Sequence, residues 1–153
     1  MNARVTDRMV DWWDLQQLLV EYAAACDDRD WNRYRAVFTQ DAWIDYTAAY
    51  GRAGRVDELA PWMSRIMDPA VLPSTQHMLA NLQADVRGDA ATGRVYYFNP
   101  DVIVEQGERR ALINGGVYRF EARRTPDGWR LSRLEARLLW STRAELCTFK
   151  PPE

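Results

Sequence analysis

Histidine is almost missing from this sequence: His77 is the only one in 153 residues. A three-histidine zinc site is therefore excluded, and so is a histidine-rich metal cluster. Lysine is equally scarce. Lys150 stands alone beside 19 arginines, which argues against Schiff-base chemistry. The two cysteines, Cys26 and Cys147, form no CxxC and imply no disulfide framework. Neither GxGxxG nor GxSxG occurs, so no phosphate loop or nucleophile elbow is expected. No apolar run approaches the ~18 residues of a membrane helix. The polar start MNARVTDRMVD does not read as a signal peptide. Net charge is −2, which leaves no basic surface for nucleic acid. What remains is the chemistry of carboxylates, tyrosines, arginines and His77, expected in a reduced, cytoplasmic setting.

The length and the 47% hydrophobic content suit a single domain over residues 1–153. From Thr6 to Asp27, apolar residues recur at spacings of three and four, predicting a helix with Thr6 as its N-cap. A second helix is expected from Asp30 to Phe38, then a turn at Thr39–Asp41 and a short strand over 42–46. Alternation on that strand places Ala42, Ile44 and Tyr46 on one face, and Trp43 and Asp45 on the other. Residues 48–54 read as a loop. Asp57 to Met67 reads as a third helix with Pro61 in its first turn. Four strands follow, over 74–88, 93–107, 110–125 and 129–146, the last after a Pro126-Asp127-Gly128 turn. Three helices and then long strands predict an α+β fold. The expected packing is a curved antiparallel sheet wrapped round the helices as a cone, with an internal pocket.

Several residues could carry chemistry there. His77, in STQHMLAN, suits a general acid/base, or a hydrogen-bonded surface histidine. Asp27 closes the first helix on its apolar side, where a carboxylate could fix the tautomer of an imidazole. Tyr46 faces inward with Ala42 and Ile44, either as a satisfied core tyrosine or in a pocket. Asp101, in FNPDVIV, interrupts an apolar strand and reads as a pocket residue or an exposed edge position. Arg137, in LEARLLW, either enters a pocket or snorkels outward.

The stretches YAAACDDRDWNRYRAVFTQDAWIDY (22–46), STQHMLAN (74–81) and GR…INGGVYRF…DGW…LLW resemble the SnoaL-like branch of the nuclear-transport-factor-2-like superfamily. Their order is similar to that of scytalone dehydratases and bile acid 7α-dehydratases. The resemblance implies a cystatin-like α+β barrel. It makes His77 the catalytic histidine and Asp27 its orienting aspartate. It places Tyr46 and Tyr22 as donors to a substrate oxygen. Asp101 lies near a pocket aspartate, and INGG (113–116) is shared with the bile-acid enzymes. Arg137 approximates a pocket arginine, with Arg143 competing. Cys26 replaces a second tyrosine, and Gly116 and Tyr118 replace a pocket serine and asparagine.

The expected activity is a cofactor-independent, metal-free dehydration of a polycyclic or terpenoid-sized hydroxy-carbonyl compound. Trp43, Met63, Phe98, Tyr118 and Trp140 are expected to line the pocket with Asp101 and Arg137. A polyketide cyclase, a ketosteroid-isomerase-like enzyme and a non-catalytic binding module are the alternatives. The related dehydratases suggest a homo-oligomer, trimer or dimer.

Overall fold

The computed structural model describes residues 3–49 and 51–143. Its first helix, α1, spans Ala3–Asp27. Leu15, Leu18, Leu19, Tyr22 and Cys26 form its buried stripe. The helix starts at Ala3, so Thr6 lies within it and does not cap it. It stops at Asp27 because Arg29 takes φ +57, the left-handed conformation that ends helices. Asp30 then caps α2 (Trp31–Ala36), its carboxylate accepting the Asn32 and Arg33 N–H groups at 3.1 and 3.0 Å. Phe38 does not extend α2 as expected. It opens strand β1 (Phe38–Asp45), paired with Leu131, and the expected turn at Thr39–Asp41 is an irregularity within that strand.

The expected loop at 48–54 contains a 3-10 turn (Thr47–Ala49) and the three-residue strand β2 (Ala53–Arg55). Helix α3 (Val56–Ile66) follows, with Pro61 in its second turn, and Glu58 accepts the Arg55 N–H at 3.0 Å. The remaining strands are β3 (Met78–Arg87), β4 (Ala90–Glu105), β5 (Glu108–Thr125) and β6 (Gly128–Ser141). Gln106 and Gly107 both have positive φ and join β4 to β5 as a two-residue hairpin turn. The sheet order is β2-β1-β6-β5-β4-β3. It is mixed, because β1 runs parallel to β6, which corrects the expectation of a purely antiparallel sheet. The sheet curves round the helices as an open α+β cone. No helix of the described residues is long and apolar enough to cross a membrane. Cys26 is buried as a free thiol, and Cys147 and Lys150 lie outside the described residues.

Strand alternation sorts the two faces. On β4, Val95, Tyr97 and Asn99 face the helices, while Arg94, Tyr96 and Phe98 face out. On β6, Leu134, Ala136 and Leu138 are buried, whereas Arg137, Leu139 and Trp140 are exposed. The adjacent glycines of INGG serve opposite faces. A Cβ on Gly116 would collide with the Tyr97 ring on the inside, and one on Gly115 with the Trp140 indole on the outside. Each glycine lets an aromatic side chain from a neighbouring strand lie flat across β5.

Candidate active site

His77 sits one residue before β3, so no ladder partner claims its N–H. The Asp27 carboxylate takes it instead, at 3.1 and 2.9 Å to the two oxygens, and also meets the imidazole Nδ1 at 2.6 Å. Fifty residues of sequence separate the pair, and the end of α1 brings them together. Asp27 thus orients His77 by backbone and ring at once. An ionised carboxylate only accepts hydrogen bonds, so Nδ1 carries the proton and Nε2 is left as the basic nitrogen. Nε2 has no hydrogen-bond partner among the described residues. The imidazole is 9% exposed and forms part of a cavity wall.

Arg29 fixes the segment that delivers His77. Its guanidinium donates to Met67 O at 2.6 Å and Leu72 O at 2.7 Å, tying the end of α1 to the chain between α3 and β3. Arg29→Ala removes two charge-assisted bonds and leaves two carbonyls to find other donors. It should cost about 2–3 kcal/mol and speed amide hydrogen exchange in residues 67–77.

Buried tyrosines, Tyr22 and Tyr46 among them, line the same cavity. Tyr22 and Tyr46 hydroxyls are 2.9 Å apart, and Tyr34 reaches Tyr46 at 3.0 Å. All three are at most 7% exposed. Burial pushes the hydroxyls of Tyr22, Tyr34, Tyr46 and Tyr118 above the ordinary phenol range, so all are held as neutral donors. Among the described residues Tyr46 is the only hydrogen-bond partner of the Tyr34 hydroxyl, which must donate there or bury an unpaired proton. Tyr46 then donates to Tyr22, whose hydroxyl also lies within reach of Tyr118 and Cys26 as well as the cavity. Tyr34 sets the direction of the chain without touching the cavity.

The cavity holds about 210 Å³. His77, Tyr22, Tyr46, Met63, Tyr118 and Asp101 all line it, as expected from sequence. So do Trp62, Thr75, Tyr97, Asn99 and Asn114, which sequence reasoning did not single out. Four expected lining residues are absent from it. Trp43, Phe98, Arg137 and Trp140 all point from the outer face of the sheet, the three aromatics 41, 37 and 43% exposed in the order Trp43, Phe98, Trp140. Arg143 does not replace Arg137: it donates to Glu105 at 3.2 Å outside the cavity lining. Among the described residues, no three His, Cys, Asp or Glu side chains converge as metal ligands would.

Asp101 is the one acidic residue among the described residues lining this cavity. Burial raises its carboxyl above the ordinary carboxylate range, and its Oδ1 has no hydrogen-bond partner. The folded state therefore holds the proton more tightly than the unfolded chain. Stability falls as pH rises out of the ordinary carboxylate range and stays lower above the folded pKa. Asp101→Asn removes this loss. Its Tm should exceed the wild type at neutral pH, and the two should converge near about pH 3, where the carboxyl is neutral in both states.

Residues 7–135 match the sequence profile of the SnoaL-like domain. The chain belongs to the SnoaL-like family. An uncharacterized protein of Mycobacterium tuberculosis is 40% identical to this SnoaL-like protein over 132 residues, covering 86% of this chain and 84% of that one. A candidate scytalone dehydratase of Novosphingobium aromaticivorans superposes with a TM-score of 0.82 at 20% identity, covering 97% and 99% of the two chains. The type 2 hexachlorocyclohexane dehydrochlorinase LinA superposes at 0.78 with 22% identity, covering 96% and 97%. At such identities the likeness is one of fold, the cystatin-like α+β cone.

Proposed function

We propose that this SnoaL-like protein is a cofactor-independent carbon–oxygen lyase that removes water from a compact hydroxy-carbonyl compound. The observation that carries the reading is the Asp27–His77 pair with a free Nε2 on a cavity that the Tyr22 and Tyr46 hydroxyls also line. Nε2 takes the proton next to the carbonyl. Tyr22, ordered by Tyr46 and Tyr34, donates to the developing enolate oxygen. The C–O bond of the β-hydroxyl then breaks, and the imidazolium returns its proton to that oxygen. Water leaves and a carbon–carbon double bond remains. One histidine serves first as base and then as acid, which suits a syn elimination.

Two solved relatives of the same fold are named for eliminations, a dehydratase and a dehydrochlorinase, which supports the reaction class. The cavity volume falls below the ~300–1,000 Å³ of drug-sized ligand sites. A mono- or bicyclic substrate fits it better than the polycyclic compound expected from sequence. The ketosteroid-isomerase-like alternative needs a base near Asp45. That carboxylate lies outside the cavity lining and is held by Thr47 at 2.9 and 2.6 Å.

A panel of cyclic β-hydroxy ketones, followed by the ultraviolet absorbance of the enone, tests the reading. Turnover of at least one member is expected. A ring-closed product without loss of water would make the protein a cyclase. The tyrosine order adds a second check. Tyr34→Phe keeps the ring and deletes one proton, and should lower kcat about 5-fold with little change in KM, as expected for one hydrogen bond of ~1 kcal/mol.

A further inference from the structure

The inner face of the sheet changes character along its strands. Asp101 stands opposite Leu112, and Asn99 opposite Asn114. The next row holds Leu79, Tyr97, Gly116 and Leu138, and the row beyond it Val95, Tyr118 and Ala136. Tyr97, Tyr118 and Ala136 line the cavity, whereas Phe120 and Leu134, one row further on, are packed in the core. The cavity therefore has polar rows and an aromatic floor. His77 precedes Met78, the partner of Phe98, and so stands level with Asn99. The Tyr97 row lies about 7 Å deeper, two residues along the strand.

Tyr97 fills two positions of its row. The residue is buried, and its ring crosses from β4 to lie over Gly116, where an added Cβ would strike the ring and its hydroxyl. The ring centre is 4.5 Å from that of Tyr118. We propose that Tyr97 sets the size of the substrate, stopping a ligand whose reacting carbons lie beside His77 after one or two rings. Interiors packed this closely admit extra atoms only by forcing side chains or backbone to move. A shorter side chain at position 97 leaves the slot over Gly116 empty and extends the cavity toward Leu79 and Leu138. The substrate enters with an apolar ring edge against Tyr97 and its leaving hydroxyl beside His77. This size limit requires that the cavity be the substrate site, as proposed above; it does not require the elimination itself.

Isothermal titration calorimetry on the full chain tests the proposal without turnover. The probes are indanone and its phenyl-substituted analogue, which adds one ring at the edge remote from the ketone. The wild-type protein should bind indanone, and should bind phenylindanone at least about 10-fold more weakly. Tyr97→Ala and Tyr97→Leu should each bind phenylindanone at least about 10-fold more tightly than the wild type does. Tyr97→Phe keeps the ring and should keep the size limit. The wild-type and Tyr97→Phe measurements do not depend on how well the smaller variants fold. A wild type that binds both ketones equally or neither, a Tyr97→Phe protein without the limit, or folded Tyr97→Ala and Tyr97→Leu proteins that still exclude phenylindanone would overturn the proposal. A limit relieved in a protein that turns over no hydroxy ketone would uphold it against the lyase reading, and turnover with no size limit would do the reverse.

Discussion

His77→Ala should abolish turnover of any hydroxy-carbonyl substrate of this protein, lowering kcat/KM by about 10³-fold or more. The expected size follows from the double use of one ring. The imidazole removes the proton in the first half of the elimination and returns it to the leaving oxygen in the second. No other imidazole exists in the chain to take over either half. His77→Gln is the sharper variant, because it keeps a polar side chain of similar reach but cannot hold and release the proton. Both should bind an enone product with nearly wild-type affinity, since the apolar wall formed by Met63, Trp62 and the tyrosines is untouched. Equal losses in kcat and in product binding would instead mean a collapsed cavity.

Asp27→Asn should cost at least about 10²-fold in kcat, with KM little changed. The carboxylate accepts from Nδ1 at 2.6 Å and from the His77 backbone N–H at 2.9 and 3.1 Å. An amide has one oxygen and one NH₂ group, so its NH₂ must face either Nδ1 or the His77 backbone N–H. If its NH₂ turns toward Nδ1, the ring proton moves to Nε2 and the base is lost. If its oxygen serves Nδ1, two N–H groups confront each other at the backbone. Stability should fall by about 1–3 kcal/mol for the unmet donor. Asp27→Glu keeps both oxygens but displaces them by a methylene, and should recover less than the full rate. Steady-state kinetics beside thermal unfolding separate the loss of rate from the loss of fold.

The general design was open to reading from sequence because its signals are local. Apolar spacing marked α1 and α3, alternation marked the long strands, and Pro126-Asp127-Gly128 marked the turn before β6. The parallel contact of β1 with β6 was not readable, since about ninety residues separate Phe38 from its partner Leu131 and no local pattern records it. The site divides in the same way. His77, Asp27, Tyr22 and Tyr46 stand out by residue type and order. Tyr34 and Arg29 do not, because their importance lies in partners 12 to 43 residues away.

The wrongly placed lining residues have a simpler cause. Phe98 and Asp101 are an odd number of positions apart on one strand, as are Trp43 and Tyr46. Without a bulge, such pairs face opposite ways. Asp101 in the cavity therefore brings Asn99 and Tyr97 with it and sends Phe98 outside. The parity rule, applied strictly, would have found two lining residues and rejected two others. Arg137 faces out by alternation with the buried Ala136 and Leu138, and Trp140 joins it because the register shift opposite Gly115 and Gly116 inserts Leu139 on β6.

The proposed elimination needs an imidazole whose Nδ1 proton is held by Asp27 and whose Nε2 is bare toward the cavity. A chain with one histidine allows this to be read from a single set of resonances. In ¹⁵N-edited spectra of the imidazole at a pH where His77 is neutral, Nδ1 should show the protonated, pyrrole-type shift and Nε2 the unprotonated, pyridine-type shift, and an enone bound in the cavity should move Nε2 alone. A proton found on Nε2 in the neutral wild-type protein would contradict the account.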